Sequence, residues 1–494
     1  MNNLESLKSY FSSELILVIG IVALVFLSLR KSENNTNVSL VFTSIVLVLA
    51  LFATIQTHFT TSLSLFEGMI ALDPMGQFFK VLIIATALIA VVMSSRANDL
   101  ENSPKVEFYA FLLTLTLGLN IMVVANDMLM IYLGIEIASI ISYILAAYIS
   151  HDKRSEEAGI KYVLYGGVAS GVMIFGMSLL YGLTGSLNLI EIREFFLNNA
   201  TDRLVLFITF IMILTGLGYK MAIAPFHMWS PDVYEGSPIT VTAFLSVASK
   251  AAGFAVTMRF FLVAFIAHEK DGSWMVLKAL DWQTLIAALA AITMTVGNLI
   301  ALQQTNIKRF LAYSSIAHAG YMLMGIAVQS VIGVESILFY FAIYFLMNLG
   351  AFFIVLMVSN QFKTEKMEDY KGLARQNAFG AFLAISLAIF LFSLAGIPPF
   401  AGFIAKWYIF KSVVDANLIW LAVIGVINAV ISLYYYVRLV KYMLIDSPEA
   451  EMKIQHTHWR YSSLVAIFAF FTLCFGLYFA PIANWVKVSA EFLH

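Results

Sequence analysis

Long apolar runs separated by short polar intervals pattern this chain from end to end. A helix spanning a bilayer needs about 20 mostly apolar residues. On that criterion the runs fall near residues 14–30, 38–57, 75–95, 106–124, 128–149, 159–183, 204–229, 239–267, 282–302, 310–328, 333–359, 378–413, 417–443 and 461–482. They predict an all-α polytopic membrane bundle of about 14 helices. A membrane β-barrel is excluded, because its strands alternate apolar and polar at every second position, whereas stretches such as FITFIMILTG do not. The first run could pass for a signal peptide. It lacks a basic leader beyond Lys8 and a small-residue cleavage site before Arg30 and Lys31, so it is expected to stay as a helix. The polar intervals near 184–203, 360–377 and 444–460 read as loops too short to fold alone.

Two runs are interrupted. The seventh, LTGLGYKMAIAPFHMW, has Pro225 in its middle and Gly216 and Gly218 before Lys220; the twelfth, LFSLAGIPPFAGFIAKWYIF, has Pro398 and Pro399 between Gly396 and Gly402. Proline removes a backbone donor and clashes with the preceding turn, so both helices must open there. Broken helices at matching places in two halves point to a transport site between repeats. Helices 4–8 (residues 106–268) and 9–13 (281–443) then form two five-helix units, between an N-terminal segment, 1–105, and a C-terminal segment with helix 14, 444–494. Five is odd, so a tandem copy enters the membrane from the other side and the repeats are inverted. The alternative is coincidence, since glycine and proline are common in membrane helices. Loops after odd-numbered helices carry about 16 Lys and Arg, among them Lys153, Arg154, Lys363, Lys366, Lys371, Arg375 and Lys453; the other side carries about 6, Lys8, Arg193, Arg203, Lys270, Lys278 and Lys487. Both termini are therefore expected outside, on the periplasmic side of a bacterial inner membrane.

Composition agrees and narrows the chemistry. Of 494 residues, 61% are hydrophobic and 12% charged, where a soluble domain carries about 25% charged residues. The net charge of −1 includes no basic patch, which excludes nucleic acid as a partner. Cys474 is the only cysteine, so the chain has no internal disulfide and no thiolate set for an iron–sulfur cluster. No GxGxxG dinucleotide fingerprint is present. The chain is expected to carry no cofactor and no metal, and to move no electrons itself.

Four ionisable residues interrupt the apolar runs far from helix ends: Glu136 in IYLGIEIASIIS, Lys220 in GLGYKMAIAP, Lys250 in FLSVASKAAGFA and Lys406 in AGFIAKWYIF. Each costs about 2.5–3.5 kcal/mol on insertion scales, and one carboxylate cannot neutralise three lysines pairwise. A lysine taken out of water holds its proton less tightly, and an approaching carboxylate restores its hold. A Glu136–Lys220 pair of variable separation would therefore act as a proton valve feeding Lys250; a static salt bridge pinning two helices is the alternative. His227, two helical turns beyond Lys220, and His318 in YSSIAHAGYM are candidate relay members, with a hydrogen-bonded core role equally open. Plainer readings suit the other charges: Asp127 as a helix cap, Asp232 and Glu235 as turn anchors, Lys308 and Arg309 as positive-inside anchors, and Arg259, Lys411 and Arg438 as snorkelling side chains.

The segments PFHMWSPDVYEGSPITVTAFLSVASKAAGFA, MTVGNLIALQQTNIKRFLAYSSIAHAGYML and AGIPPFAGFIAKWYIF resemble the antiporter-like subunits of the bacterial proton-pumping NADH-quinone oxidoreductase (respiratory complex I), within them the subunit N family. The resemblance spans nearly the whole chain. It implies fourteen helices, inverted repeats and a central polar file in which Glu136, Lys220, Lys250 and Lys406 occupy the family's proton-transfer positions. Lysine at 406, where a sister subunit has glutamate, and no long amphipathic helix after the last run fit the N type. The resemblance implies FMN, iron–sulfur clusters and a quinone site in partner subunits, with other membrane and peripheral subunits and the lipid bilayer as partners. Subunits of cation/proton antiporters and of hydrogenase- or ferredoxin-driven complexes share these features and stand as the alternative.

Overall fold

The computed structural model describes residues 11–29, 35–57, 63–268, 274–276, 281–447, 454–455 and 459–490. Lys8, Arg30, Lys31, Lys270, Lys278 and Lys453 lie outside the described residues. Thirteen helices among those described are long and apolar enough to cross a membrane, and Ser12–Ser28 adds a shorter apolar helix. In chain order they are α1 Ser12–Ser28, α2 Asn35–Gln56, α3 Pro74–Ser94, α4 Lys105–Val124, α5 Met128–Ala146 and α6 Lys153–Thr184. Then come α7, split into Arg203–Met221 and Trp229–Gly236, α8 Ile239–Ala264, α9 Trp282–Ala301, α10 Ile307–Ala327 and α11 Val331–Phe362. The last are α12, split into Ala378–Ala395 and Ala401–Asp415, α13 Ile419–Leu444 and α14 Trp459–Leu477.

Polar side chains set the helix starts, because the first turn of a helix leaves N–H groups unsatisfied. The carboxylate of Asp73 accepts the Gly76 N–H, that of Asp127 the Leu129 N–H, and the side chain of Asn306 the Lys308 N–H. Asp127 is thus the cap its sequence context predicts. The interval 184–203, read as a loop, instead holds an amphipathic helix, Leu189–Asn198, whose Leu189, Ile192 and Phe196 are buried. Its short apolar period escapes a criterion built on spanning length. Antiparallel hairpins pair Leu63–Leu65 with Ile70–Leu72 and Ile266–His268 with Trp274–Val276. Bridges Ile70–Ala125 and Asp127–Asn188 draw the loops after α2, α4 and α6 together at one end, and Asn306–Lys366 joins those after α9 and α11 at the other.

Both interruptions are real. The first half of α7 stops where Ala222 turns left-handed (φ 56°) and its N–H caps the Gly218 and Tyr219 carbonyls. The first half of α12 stops at Gly396 (φ 84°), which caps Phe392 and Ser393 in the same way. A Cβ on Gly402, opening the second half, would run into the Ser393 carbonyl, so only glycine lets the two halves overlap. In α8 the turn Leu245–Ser249 widens into a π-helix just before Lys250, a distortion frequent at functional sites. The apolar stretch of α8 is 100% buried and that of α10 94%, against 33% for α2 and 28% for α14. The core of the molecule is therefore where Lys250 and His318 sit.

Several charges read as peripheral are structural instead. Asp232 and Glu235 lie on the short second half of α7 rather than in a turn; Arg309 Nη1 contacts them at 2.5 and 2.9 Å, and Lys161 Nζ reaches Asp232 at 2.6 Å. Lys308 is 2% exposed, donating to the Ser237 carbonyl and paired with Glu365 at 2.7 Å, so it ties the units together rather than facing headgroups. Arg259 does not snorkel: it is 1% exposed and forks onto both oxygens of Asp73 at 2.6 and 3.0 Å and onto the Val123 carbonyl. Arg438 donates to the Leu302 and Gln304 carbonyls that close α9, whereas Lys411 is exposed as expected.

Candidate proton pathway

Lys220 occupies the last turn of the first half of α7, next to the break, and is buried. Its Nζ donates to Ser139 Oγ at 3.3 Å. Ser139 stands one turn beyond Glu136 on α5, whose carboxylate accepts the Ser170 hydroxyl of α6. No ion pair within 4.0 Å joins Glu136 to Lys220 among the described residues, so the static salt bridge is not formed. The carboxylate still acts on the lysine electrostatically. Such an opposite charge at a distance is what a valve of variable separation requires.

Lys250 follows the π turn of α8, is 1% exposed, and its Nζ has no hydrogen-bond partner among the described residues. One turn earlier Ser246 accepts Asn348 Nδ2 of α11 at 2.6 Å. His318, in the middle of α10, shares hydrogen bonds with Tyr340 Oη at 2.6 Å through Nδ1 and with Tyr436 Oη at 3.2 Å through Nε2. The Tyr344 ring lies 5.4 Å from its imidazole. Lys250 and Lys406 both act on His318 electrostatically. Lys406, on the second half of α12, donates to the Ala395 carbonyl at 2.8 Å, an acceptor freed by the break, and lies 4.7 Å from the centre of the Tyr321 ring. His227 sits in the break of α7 with Nδ1 buried and without a hydrogen-bond partner among the described residues, close enough to Lys250 to feel its charge.

Lys250, His318 and Lys406 thus share the buried interior and influence one another electrostatically, His227 does so from the α7 break, and Glu136 acts on Lys220. Sequence reasoning missed the hydroxyls around them: Ser139 on Lys220, Tyr340 and Tyr436 on His318, Ser314 on Tyr436, Tyr344 paired with Ser315, and Ser246 paired with Asn348. Serines and tyrosines are ordinary in membrane helices, and only their contacts single them out; their spacing on α10 and α11 was the available signal. It also missed a second buried ion pair, Lys80 with Glu14 at 2.6 Å, which joins α3 to α1. No cluster of three or more His, Cys, Asp or Glu suited to a metal occurs among the described residues.

Two helices broken beside lysines, around a fully buried centre of cationic and hydroxyl side chains, define a polytopic membrane protein of the antiporter-like type. The sequence profile of the family described as "NADH:quinone oxidoreductase/Mrp antiporter, TM" matches residues 125–432. NADH-quinone oxidoreductase subunit N of Anaeromyxobacter sp. (strain Fw109-5) is 40% identical over 99% of this chain and 98% of its own. The chain belongs to that family. A chain of respiratory complex I from Thermus thermophilus superposes with a TM-score of 0.79 at 29% identity, over 96% of this chain and 98% of that one. A chain of the Mrp complex from Dietzia sp. DQ12-45-1b gives 0.83 at 20% identity, over 99% and 97%, a likeness of fold.

Proposed function

We propose that this chain is the subunit N of an NADH-quinone oxidoreductase and moves protons across the membrane through Glu136, Lys220, Lys250, His318 and Lys406. His227 is a side member of the file. NADH oxidation and quinone reduction belong to partner subunits that hold the FMN, iron–sulfur clusters and quinone; this chain contributes no redox group. The observation that carries the reading is Lys250, an ammonium site at the centre of the bundle with no hydrogen-bond partner among the described residues. A permanently charged group there would be strongly penalised, whereas a lysine that gains and loses a proton occupies the charged state only in transit. Residues 106–268 and 281–443 act as two inverted half-channels that meet at His318, with both termini on the periplasmic side of the inner membrane. Protons load at Lys220 and Lys250 from the cytoplasm and leave by way of Lys406. Withdrawal of Glu136 from Lys220 would release the lysine's proton inward along the file.

The fold shared with the Mrp complex supports a second reading, a cation/proton antiporter subunit. Isolation of the intact complex separates the two. NADH:quinone activity coupled to vesicle acidification, lost in Lys250→Ala, is the expected result. Purification without flavin or iron–sulfur partners, together with cation-for-proton exchange, would replace it with the antiporter reading.

A further inference from the structure

Asp99 belongs to neither five-helix unit. It sits on the short 3-10 turn Asn98–Leu100 between α3 and α4, and this turn is held in place from two sides. Asn98 Nδ2 donates to the Asn360 carbonyl at 2.9 Å and Asn360 Nδ2 returns a bond to the Arg96 carbonyl at 2.8 Å, fixing it to the end of α11. Asp99 Oδ2 accepts the Ile239 N–H at 2.8 Å, fixing it to the start of α8. The other oxygen, Oδ1, is out of contact with solvent and without a hydrogen-bond partner among the described residues. Burial holds this carboxyl above the usual carboxylate range, the Ile239 N–H and the nearby Lys308 offsetting that only in part, with Glu365 adding to the rise.

The segment that Asp99 touches at Ile239 carries a series of buried polar atoms. Ser237 Oγ and Thr240 Oγ1, on either side of Ile239, are solvent-free and without hydrogen-bond partners among the described residues, and Ser230 Oγ and Tyr234 Oη lie solvent-free beside one another. Tyr234 lies beside Ser315 and Tyr344, and Tyr344 donates to Ser315 at 2.8 Å. One turn along α11 from Tyr344, Asn348 bonds Ser246, and Lys250 is one turn further on α8. Native proteins leave few buried polar groups unpaired, and where several line one route, bridging water is the usual partner. Near the start of this route a cavity of about 200 Å³ reaches Gly236, the residue before Ser237, between Arg154, Glu157, Asp232, Glu235 and Arg309.

We propose that Asp99 is the proton-loading group of a water-lined inlet that runs past Ser237, Thr240, Tyr234 and Asn348 to Lys250. The carboxyl passes its proton along the hydroxyls and waters to the neutral amine of Lys250, and the carboxylate left behind is reprotonated from water at the cytoplasmic mouth. The inference rests on Lys250 carrying protons, as argued above. It assigns to the α3–α4 turn a task that the two five-helix units do not perform.

The test compares NADH-driven acidification with NADH oxidation in the assembled complex in proteoliposomes. Asp99→Asn keeps the acceptor for the Ile239 N–H and removes the titratable group; we expect acidification to fall at least about tenfold. Asp99→Glu retains most of it. Thr240→Val preserves shape and removes a hydroxyl from the route, and is expected to slow acidification without loss of assembly. Wild-type acidification in Asp99→Asn, which would mark Asp99 as a cap alone, or in Thr240→Val overturns the inlet, as does an equal loss in Asp99→Asn and Asp99→Glu, which would mean that the site depends on side-chain shape and not on a titrating carboxyl. If Lys250→Ala itself pumps normally, the proposed function falls and takes the inlet with it; if Lys250→Ala is dead and Asp99→Asn is intact, only the inlet falls.

Discussion

Lys250 and Arg259 lie on the same helix, both about 1% exposed, and their surroundings assign them opposite work. Arg259 is satisfied by Asp73 and the Val123 carbonyl. Removing it leaves a buried carboxylate uncompensated, so Arg259→Ala should destabilise the purified complex by about 3–5 kcal/mol, read as a lower melting temperature. Arg259→Met combined with Asp73→Asn should recover most of the loss, because asparagine still caps α3. Lys250 is surrounded by nothing that fixes a charge. Lys250→Arg keeps a cation but cannot give up its proton, and we expect NADH-driven acidification to be abolished as fully as in Lys250→Ala. Asp232 supplies the pH dependence at this scale. Burial pushes its carboxyl up, but hydrogen bonds from Lys161 and Arg309 prevail and hold it below its ordinary value of 3.8. A depressed carboxylate stabilises the fold above its unfolded-state value and loses that contribution as pH falls through the folded one. Melting curves of Asp232→Asn should therefore lie below wild type at neutral pH and converge with it in acid.

At the scale of elements, the two breaks depend on close approach of backbones. Gly402→Ala forces a Cβ into the Ser393 carbonyl, so the halves of α12 must separate and Lys406 must leave the Ala395 carbonyl. We expect loss of assembled complex on native gels, or an assembled complex without coupling. The spanning helices were legible because a bilayer demands about 20 apolar residues wherever it is crossed, and both interruptions because proline and glycine break helices by local rules. Other elements were not legible for equally physical reasons. Leu189–Asn198 is only 10 residues long, and its apolar face is set by what it packs on. The π turn before Lys250 leaves no mark in composition. Glu136, Lys220, Lys250 and Lys406 declared themselves because a charge in an apolar run is conspicuous; Ser139, Ser315 and Tyr344 did not, since a hydroxyl is inexpensive to bury once bonded. Arg259 and Lys308 were misjudged because a salt bridge to a residue far along the chain has no local signature.

At the scale of the molecule, the polar file is enclosed by α8, α10 and α11, while α2, α6 and α14 face outward with most of their apolar surface uncovered. That surface suits lipid and neighbouring membrane subunits. Glu136, half-buried on an α5 face that also exposes Leu129, Leu133 and Ile140, stands at its edge. The helix α11 extends over 32 residues, about 48 Å at helical rise, and 89% of its apolar stretch is covered by protein. Much of that cover comes from α12 and α14, which follow it in the chain. During synthesis, then, α11 enters the bilayer before part of its sheath exists, and Phe339, Phe345 and Phe353 wait beside acyl chains until Tyr408, Phe468 and Tyr461 of the later helices close over them. A chain cut at residue 377 should insert normally and then be cleared by membrane proteases faster than the full chain, as pulse-chase labelling would show; equal lifetimes would mean that α11 finds its cover elsewhere. The outer wall of the proposed conduit is in this sense completed last.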